Sequence, residues 1–133
     1  MRVTVFDSHA VLALFFGEPS APQVQELLHE AAVADQPVLM TAVNWAEVLY
    51  RMEQKRGTEG VETAKRFEAT MPLEVVPVDL PLAELAAEYK VKAKLGLADA
   101  FAAALAKHKK AVLVTGDPDF KSVEKQIKIE WLK

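Results

Sequence analysis

Cysteine is absent from all 133 residues, which removes disulfides, zinc–thiolate sites and cysteine nucleophiles from consideration. No apolar run approaches the roughly 20 residues a helix needs to span a bilayer. Met1–Asp7 is too short for the apolar region of a signal peptide and ends in a charge. The expectation is therefore a cytoplasmic protein with no membrane partner. An excess of basic charge is also lacking: the net charge is −3 and the pI about 5.6. That counts against passive nucleic-acid binding, which leaves a basic footprint. It does not count against an enzyme that gathers carboxylates around a cation, because a bound metal reverses the sign of the local field.

What is present reads as globular. Hydrophobic residues make up 51% and charged residues 26%, and the length suits one domain over residues 1–133 with a core that needs no staples. Neither an internal repeat nor a low-complexity linker interrupts it.

Arg2–Phe6 predicts a short strand that stops at Asp7 and Ser8. Ser8 is placed to cap a helix His9–Phe16, ended by Gly17 and Pro19, and Ser20 with Pro22 opens a second helix through Val24, Leu27, Leu28 and Ala31. Val38–Met40 reads as a buried strand, and Thr41 as the cap of a helix from Ala42 to Arg56, stopped by Gly57. Thr58 begins another helix through Val61, Ala64 and Phe67. Leu73–Val78 is rich in β-formers, and Asp79 is a good cap for a long helix closed by Gly96. Leu97–His108 is apolar nearly all round, so it belongs in the middle of the fold. Ala111–Thr115 has almost no polar face, as in a parallel sheet covered on both sides. A turn at Gly116–Phe120 and an edge strand within Ile127–Leu132 complete the pattern. Strands alternating with helices predict an α/β fold with a parallel sheet between helical layers.

Single acids interrupt these apolar segments at informative places. Asp7 ends the first strand and Asp117 follows the Ala111–Thr115 strand. Ligands of open α/β sheets bind at the carboxyl ends of strands, although Asp also favours turns for local hydrogen bonding. Asp99 is the only acid between Leu95 and Leu105, where it suits both a helix start and the ligand rim. Glu47 shares a helical face with Val43 and Tyr50, and taken by itself reads as solvated surface. If the four converge, each pair at about 4 Å repels by about 4 kcal/mol at an effective dielectric near 20. Several such pairs rival a domain stability of about 5–15 kcal/mol, so protons or a cation must neutralise the cluster. An all-oxygen site suits Mg²⁺ or Mn²⁺ rather than zinc, and such ions serve phosphodiester hydrolysis without a covalent nucleophile.

Strand–Asp7–Ser8, then Asn44–Trp45–Ala46–Glu47, then Leu97–Ala98–Asp99–Ala100–Phe101, then Thr115–Gly116–Asp117–Pro118–Asp119–Phe120 resembles the PIN-domain family, in the family's order and across essentially the whole chain. The resemblance implies a three-layer α/β/α sandwich and a Mg²⁺- or Mn²⁺-dependent endonuclease acting on RNA. It makes Asp7, Glu47, Asp99 and Asp117 the catalytic and metal-binding acids. Asp119 matches a less constant acid. Thr115 and Ser8 match small hydroxyl positions beside the pocket, and Asn44 falls near it. A chain of this length also resembles the toxin half of VapBC-type toxin–antitoxin pairs, which implies a homodimer and a small antitoxin whose C-terminal segment covers the pocket.

His9, His29 and His108 have no ligand spacing and read as structural or surface residues. Arg51, Lys55, Arg56, Lys90, Lys92, Lys94, Lys107, Lys109, Lys110 and Lys121 are candidate phosphate contacts, though Lys107–Lys110 reads first as a solvated helix end. Trp45 and Trp131 can stack on bases, with Trp45 better suited to the core. Among rivals, a haloacid-dehalogenase-like phosphatase needs a second Asp two places after the nucleophile, where His9 stands. A receiver domain needs paired acids after the first strand and a phospho-accepting Asp after the third, and neither is evident. A non-catalytic PIN-fold interaction module has no physical reason to keep four mutually repelling acids.

Overall fold

A computed structural model describes residues 2–133. The chain runs β1 (Thr4–Phe6), α1 (Ser8–Phe15), α2 (Ala21–Val33), β2 (Val38–Thr41), α3 (Ala42–Thr70), β3 (Leu73–Val76), α4 (Leu80–Lys92), α5 (Leu97–Lys109), β4 (Val112–Thr115), a 3₁₀ turn (Pro118–Val123) and β5 (Ile129–Trp131). The strands form one parallel sheet in the order β3-β2-β1-β4-β5. Side chains alternate across it with the period of two that strands impose. Val5 and Leu113 pack with α4 and α5, while Phe6, Met40 and Val114 pack with α1, α2 and α3. The result is the three-layer α/β/α sandwich expected from the alternation of strands and helices.

The order of strands reverses between β1 and β4, since β1 leads outward to β2 and β3 while β4 and β5 lie on its other side. Open sheets bind ligands outside the carboxyl ends of the strands at such a switch point, and Asp7 and Thr115–Asp117 lie at the carboxyl ends of β1 and β4. Phe6 and Val114, directly before these residues, are fully buried. Burial of such side chains stabilises by about 1.5–3 kcal/mol each, so the ends of both strands are firmly anchored.

Several boundaries differ from expectation. Asp7, not Ser8, caps α1: its backbone is extended and its carboxylate accepts from Ala10 N, which makes Ser8 the first helical residue. The helix after Asp79 stops at Ala93, with Lys94 in the left-handed region (φ 57°), and Gly96 instead starts α5 as its N-cap. The turn at Gly116–Phe120 continues as the 3₁₀ turn to Val123. Thr41 and Asp79 cap α3 and α4 through their side chains. Gly57 breaks α3 with φ 63° and ψ −152°, a conformation open to glycine and costly to other residues. The chain then folds back so tightly that a Cβ on Gly60 would meet the Met52 carbonyl oxygen at 2.4 Å. Among the described residues, no helix is long and apolar enough to cross a membrane.

Candidate metal centre

Asp7 is 1% exposed. One carboxylate oxygen accepts from Ala10 N at 2.8 Å, and the other accepts from the Thr115 hydroxyl. Thr115, the last residue of β4, is fully buried and its hydroxyl also accepts from Asp117 N at 3.0 Å. One hydroxyl thereby ties the ends of the two strands that border the switch point. Asp117 caps the 3₁₀ turn by accepting from Asp119 N at 2.9 Å. The local turn role and the rim position hold together for Asp7 and Asp117.

Asp99 stands in the first turn of α5, half-buried, under an N-cap glycine that offers no side-chain cap. Carboxylate oxygens of Asp99, Asp117 and Asp119 lie within 4.8 Å of one another. Glu47 arrives from α3, half-buried, with the Ser8 hydroxyl donating to it and Tyr50 Oη 3.5 Å from its other oxygen. Ser8 and Thr115 therefore direct their hydroxyls at Glu47 and Asp7, acids that come from other elements of the fold.

Burial pushes the Asp7 carboxyl up to about 7, against the lowering effect of its bonds from Thr115 and Ala10, and the charges of Asp117 and Glu47 push the same way as burial. Asp99 also rises to about 7, first through burial, then through the charges of Asp117, Asp7 and Glu47, with a hydrogen bond to Asp117 adding to the shift. Of the four predicted acids the structure brings Asp99 and Asp117 together, with Asp119 beside them, while Asp7 and Glu47 stand outside that compact set and act on it through their charge. Among the described residues the ion contacts are Arg2–Glu130, His9–Glu18 and Lys92–Glu88, and none involves Asp7, Glu47, Asp99, Asp117 or Asp119. The pit is thus uncompensated by the chain itself. Its donors are all oxygen, and a carboxylate oxygen that accepts one hydrogen bond keeps capacity for a second partner. Such a donor set fits a hard divalent cation.

Asn44 does something else. It is fully buried, its amide NH₂ donates to Ala98 O at 3.1 Å and its Oδ1 accepts from the Thr41 hydroxyl. With both ends engaged it is a strut between the starts of α3 and α5, directly before Asp99. Nothing in the local sequence signals this long-range bond. His9 is equally silent in the sequence, yet a Cβ on Gly116 would come within 3.1 Å of its Nε2, so its exposed ring borders the pit. Position alone, two residues after Asp7, is the available sign. Of the candidate phosphate contacts, Lys107, Lys109 and Lys110 lie at the opposite end of α5 from Asp99. Trp45 and Trp131 are both half-buried against the two cores.

The PIN domain family model matches residues 4–126. Solved structures share the fold at low identity. VapBC2 from Rickettsia felis, bound to a promoter DNA fragment, superposes with TM-score 0.74 at 18% identity over 98% of this chain and 99% of that one. DNA-bound VapBC from Salmonella typhimurium gives 0.76 at 17% identity over 100% of both chains. Mycobacterium tuberculosis VapC20, described as a sarcin–ricin loop cleaving toxin, gives 0.72 at 20% identity over 90% of this chain and 94% of that one. No curated protein matches the chain.

Proposed function

We propose, from the premise that this chain belongs to the PIN domain family, that it is a divalent-metal-dependent endoribonuclease and the toxin half of a toxin–antitoxin pair. The observation that carries the reading is the pit itself. Asp99 of α5 and Asp117 and Asp119 of the loop after β4 lie close enough to share a cation, the charges of Asp7 and Glu47 act on Asp99, and no basic partner stands within ion-pair distance of these acids among the described residues. The toxin role draws on the neighbours, which are toxin–antitoxin complexes and a toxin that cleaves the sarcin–ricin loop. By the same likeness the partners are RNA and an antitoxin, and a second copy of the chain is what the resemblance in sequence implies.

Asp7, Asp99, Asp117 and Glu47 would hold Mg²⁺ or Mn²⁺, with the exposed Asp119, whose carboxylate lies beside Asp99 and Asp117, as a secondary donor. When bound, the cation supplies activation of a water and neutralisation of charge at the phosphate. The chain's own residues set the aim. Thr115 and Ala10 N fix the two oxygens of Asp7, Ser8 orients Glu47, and Asn44 holds the segment that bears Asp99.

The test is cleavage of RNA by purified protein. Turnover should require Mg²⁺ or Mn²⁺, stop with EDTA, and disappear in Asp7→Asn and Asp99→Asn. Cleavage that persists in both variants refutes the assignment. For the toxin role, expression of the chain should arrest growth, Asp99→Asn should not, and co-expression of the partner should restore growth. Growth unaffected by the active chain contradicts that role.

A further inference from the structure

Beside the pit, α1 and α3 run together. The Ser8 hydroxyl and Glu47 join them at the pit end. At the far end the Phe16 ring meets Lys55 Nζ at 5.7 Å and the Arg56 guanidinium at 5.4 Å, and Arg56 donates to Phe15 O at 3.0 Å. Between them Arg51, one turn beyond Glu47 and one before Lys55, lies on the same side of α3. Phe16, Glu18, Arg51, Gln54, Lys55 and Arg56 line one shallow cavity. We propose that this cluster is a phosphate subsite that holds the backbone of single-stranded RNA as it leaves the acidic pit. The proposal rests on the ribonuclease reading for its substrate.

Charge and distance carry it. Three cations line the cavity against one acid, Glu18, which lies 4.0 Å from His9. Helix ends explain part of this. Arg56 satisfies a terminal carbonyl of α1, and cations near the break at Gly57 are favoured by the helix dipole. Arg51 and Lys55 are left over: among the described residues neither enters an ion pair. The acid four residues before Arg51 is Glu47, already engaged by Ser8. A cation held over an aromatic face is pre-positioned, so less freedom is lost when it binds an anion. Lys55 is about 12 Å from Glu47 along α3, a span of about three or four stacked nucleotides. A chain of net charge −3 with an acidic pit repels a polyanion, and a local positive strip beside the pit offsets that repulsion and guides the strand.

The experiment measures binding of a fluorescent single-stranded RNA of about a dozen nucleotides to Asp99→Asn protein in Mg²⁺, over a range of KCl concentrations. The double change Arg51→Gln/Lys55→Gln keeps the Arg56–Phe15 bond, and its melting temperature reports whether folding is intact. Lys107→Gln/Lys109→Gln at the opposite end of α5 is the charge-matched control, and Lys55→Glu is a second variant should the double change unfold. The double change should lower the slope of log K against log salt by about 1.4, at about 0.7 for each phosphate that is no longer neutralised. It should also weaken low-salt binding about tenfold, while the control moves neither. An unchanged slope, or an equal change in the control, overturns the subsite. If the variant binds RNA normally but loses a co-purifying acidic polypeptide, the cluster is a protein-docking site and the RNA assignment falls. RNA binding with the predicted slope change, but no cleavage by wild-type protein, retains the subsite and sinks the ribonuclease. Failure of both wild-type and Asp99→Asn protein to bind RNA sinks both.

Discussion

Replacing Asp7 by Asn should stabilise the metal-free protein, although the residue is buried and hydrogen-bonded. Its carboxyl is held at about 7 in the folded chain, against 3.8 ordinarily. A difference of about three pH units corresponds to about 4 kcal/mol between the two protonation states. The sign follows from linkage: the folded value is the higher one, so folding favours the protonated acid. Below about pH 4 both folded and unfolded chains hold the proton and the residue costs little. As pH rises from about 4 to about 7 the unfolded chain ionises first and stability falls, and above about 7 the whole cost of about 4 kcal/mol is present. Asn carries no charge and escapes that cost. Its carbonyl can still accept from Ala10 N, but the Thr115 hydroxyl loses its carboxylate acceptor, for about 1 kcal/mol. The net gain at pH 8 is about 3 kcal/mol, or about 10 °C in melting temperature for a chain of this length. At pH 4 the gain should vanish or turn into a loss of about 1 kcal/mol. Thermal melts of both proteins in EDTA at the two pH values are the assay. A variant less stable than wild type at pH 8, or a gain of equal size at both pH values, refutes the reasoning.

Three further perturbations separate the parts of the site. Thr115→Val keeps the volume but removes the bond that lowers the Asp7 carboxyl; Mn²⁺ affinity should fall about 10–100-fold and its pH midpoint should move up, as followed by calorimetry across pH. Asn44→Ala leaves the Ala98 carbonyl and the Thr41 hydroxyl without partners. It should cost about 2–3 kcal/mol in urea unfolding and lower RNA turnover further at a temperature where the variant is folded. Gly57→Ala forces a side chain into φ 63°, ψ −152° and should destabilise by about 1–3 kcal/mol without changing metal affinity in the folded protein.

The fold was legible because its signals are local. Ala111–Thr115 has almost no polar face, so a parallel sheet covered on both faces follows from the sequence. Asp7 and Asp117 were legible as acids that terminate such strands. Glu47 was not legible alone, because a lone Glu on a helix has the same local pattern whether it faces water or a pit. What distinguishes it is the Ser8 hydroxyl from another element. The strut from Asn44 to Ala98 was hidden for the same reason, since it depends on how two helix starts meet across the sheet. Adjacent good caps hid the start of α1: Asp7 and Ser8 both suit the role, and the extended backbone of Asp7 decides it. At Gly96 the residue type fits either end of a helix, and the left-handed turn falls instead on Lys94.

The central claim is that the pit takes up a hard cation where protons otherwise sit. Calorimetric titration of Mn²⁺ in two buffers of different ionisation enthalpy measures binding and proton release together. With Asp7 and Asp99 each near 7, binding at pH 7 should expel about one proton in total, falling towards none at pH 9, and Asp99→Asn should abolish or severely weaken it. Absence of binding, binding without proton release at pH 7, or equal affinity in Asp99→Asn would contradict the account.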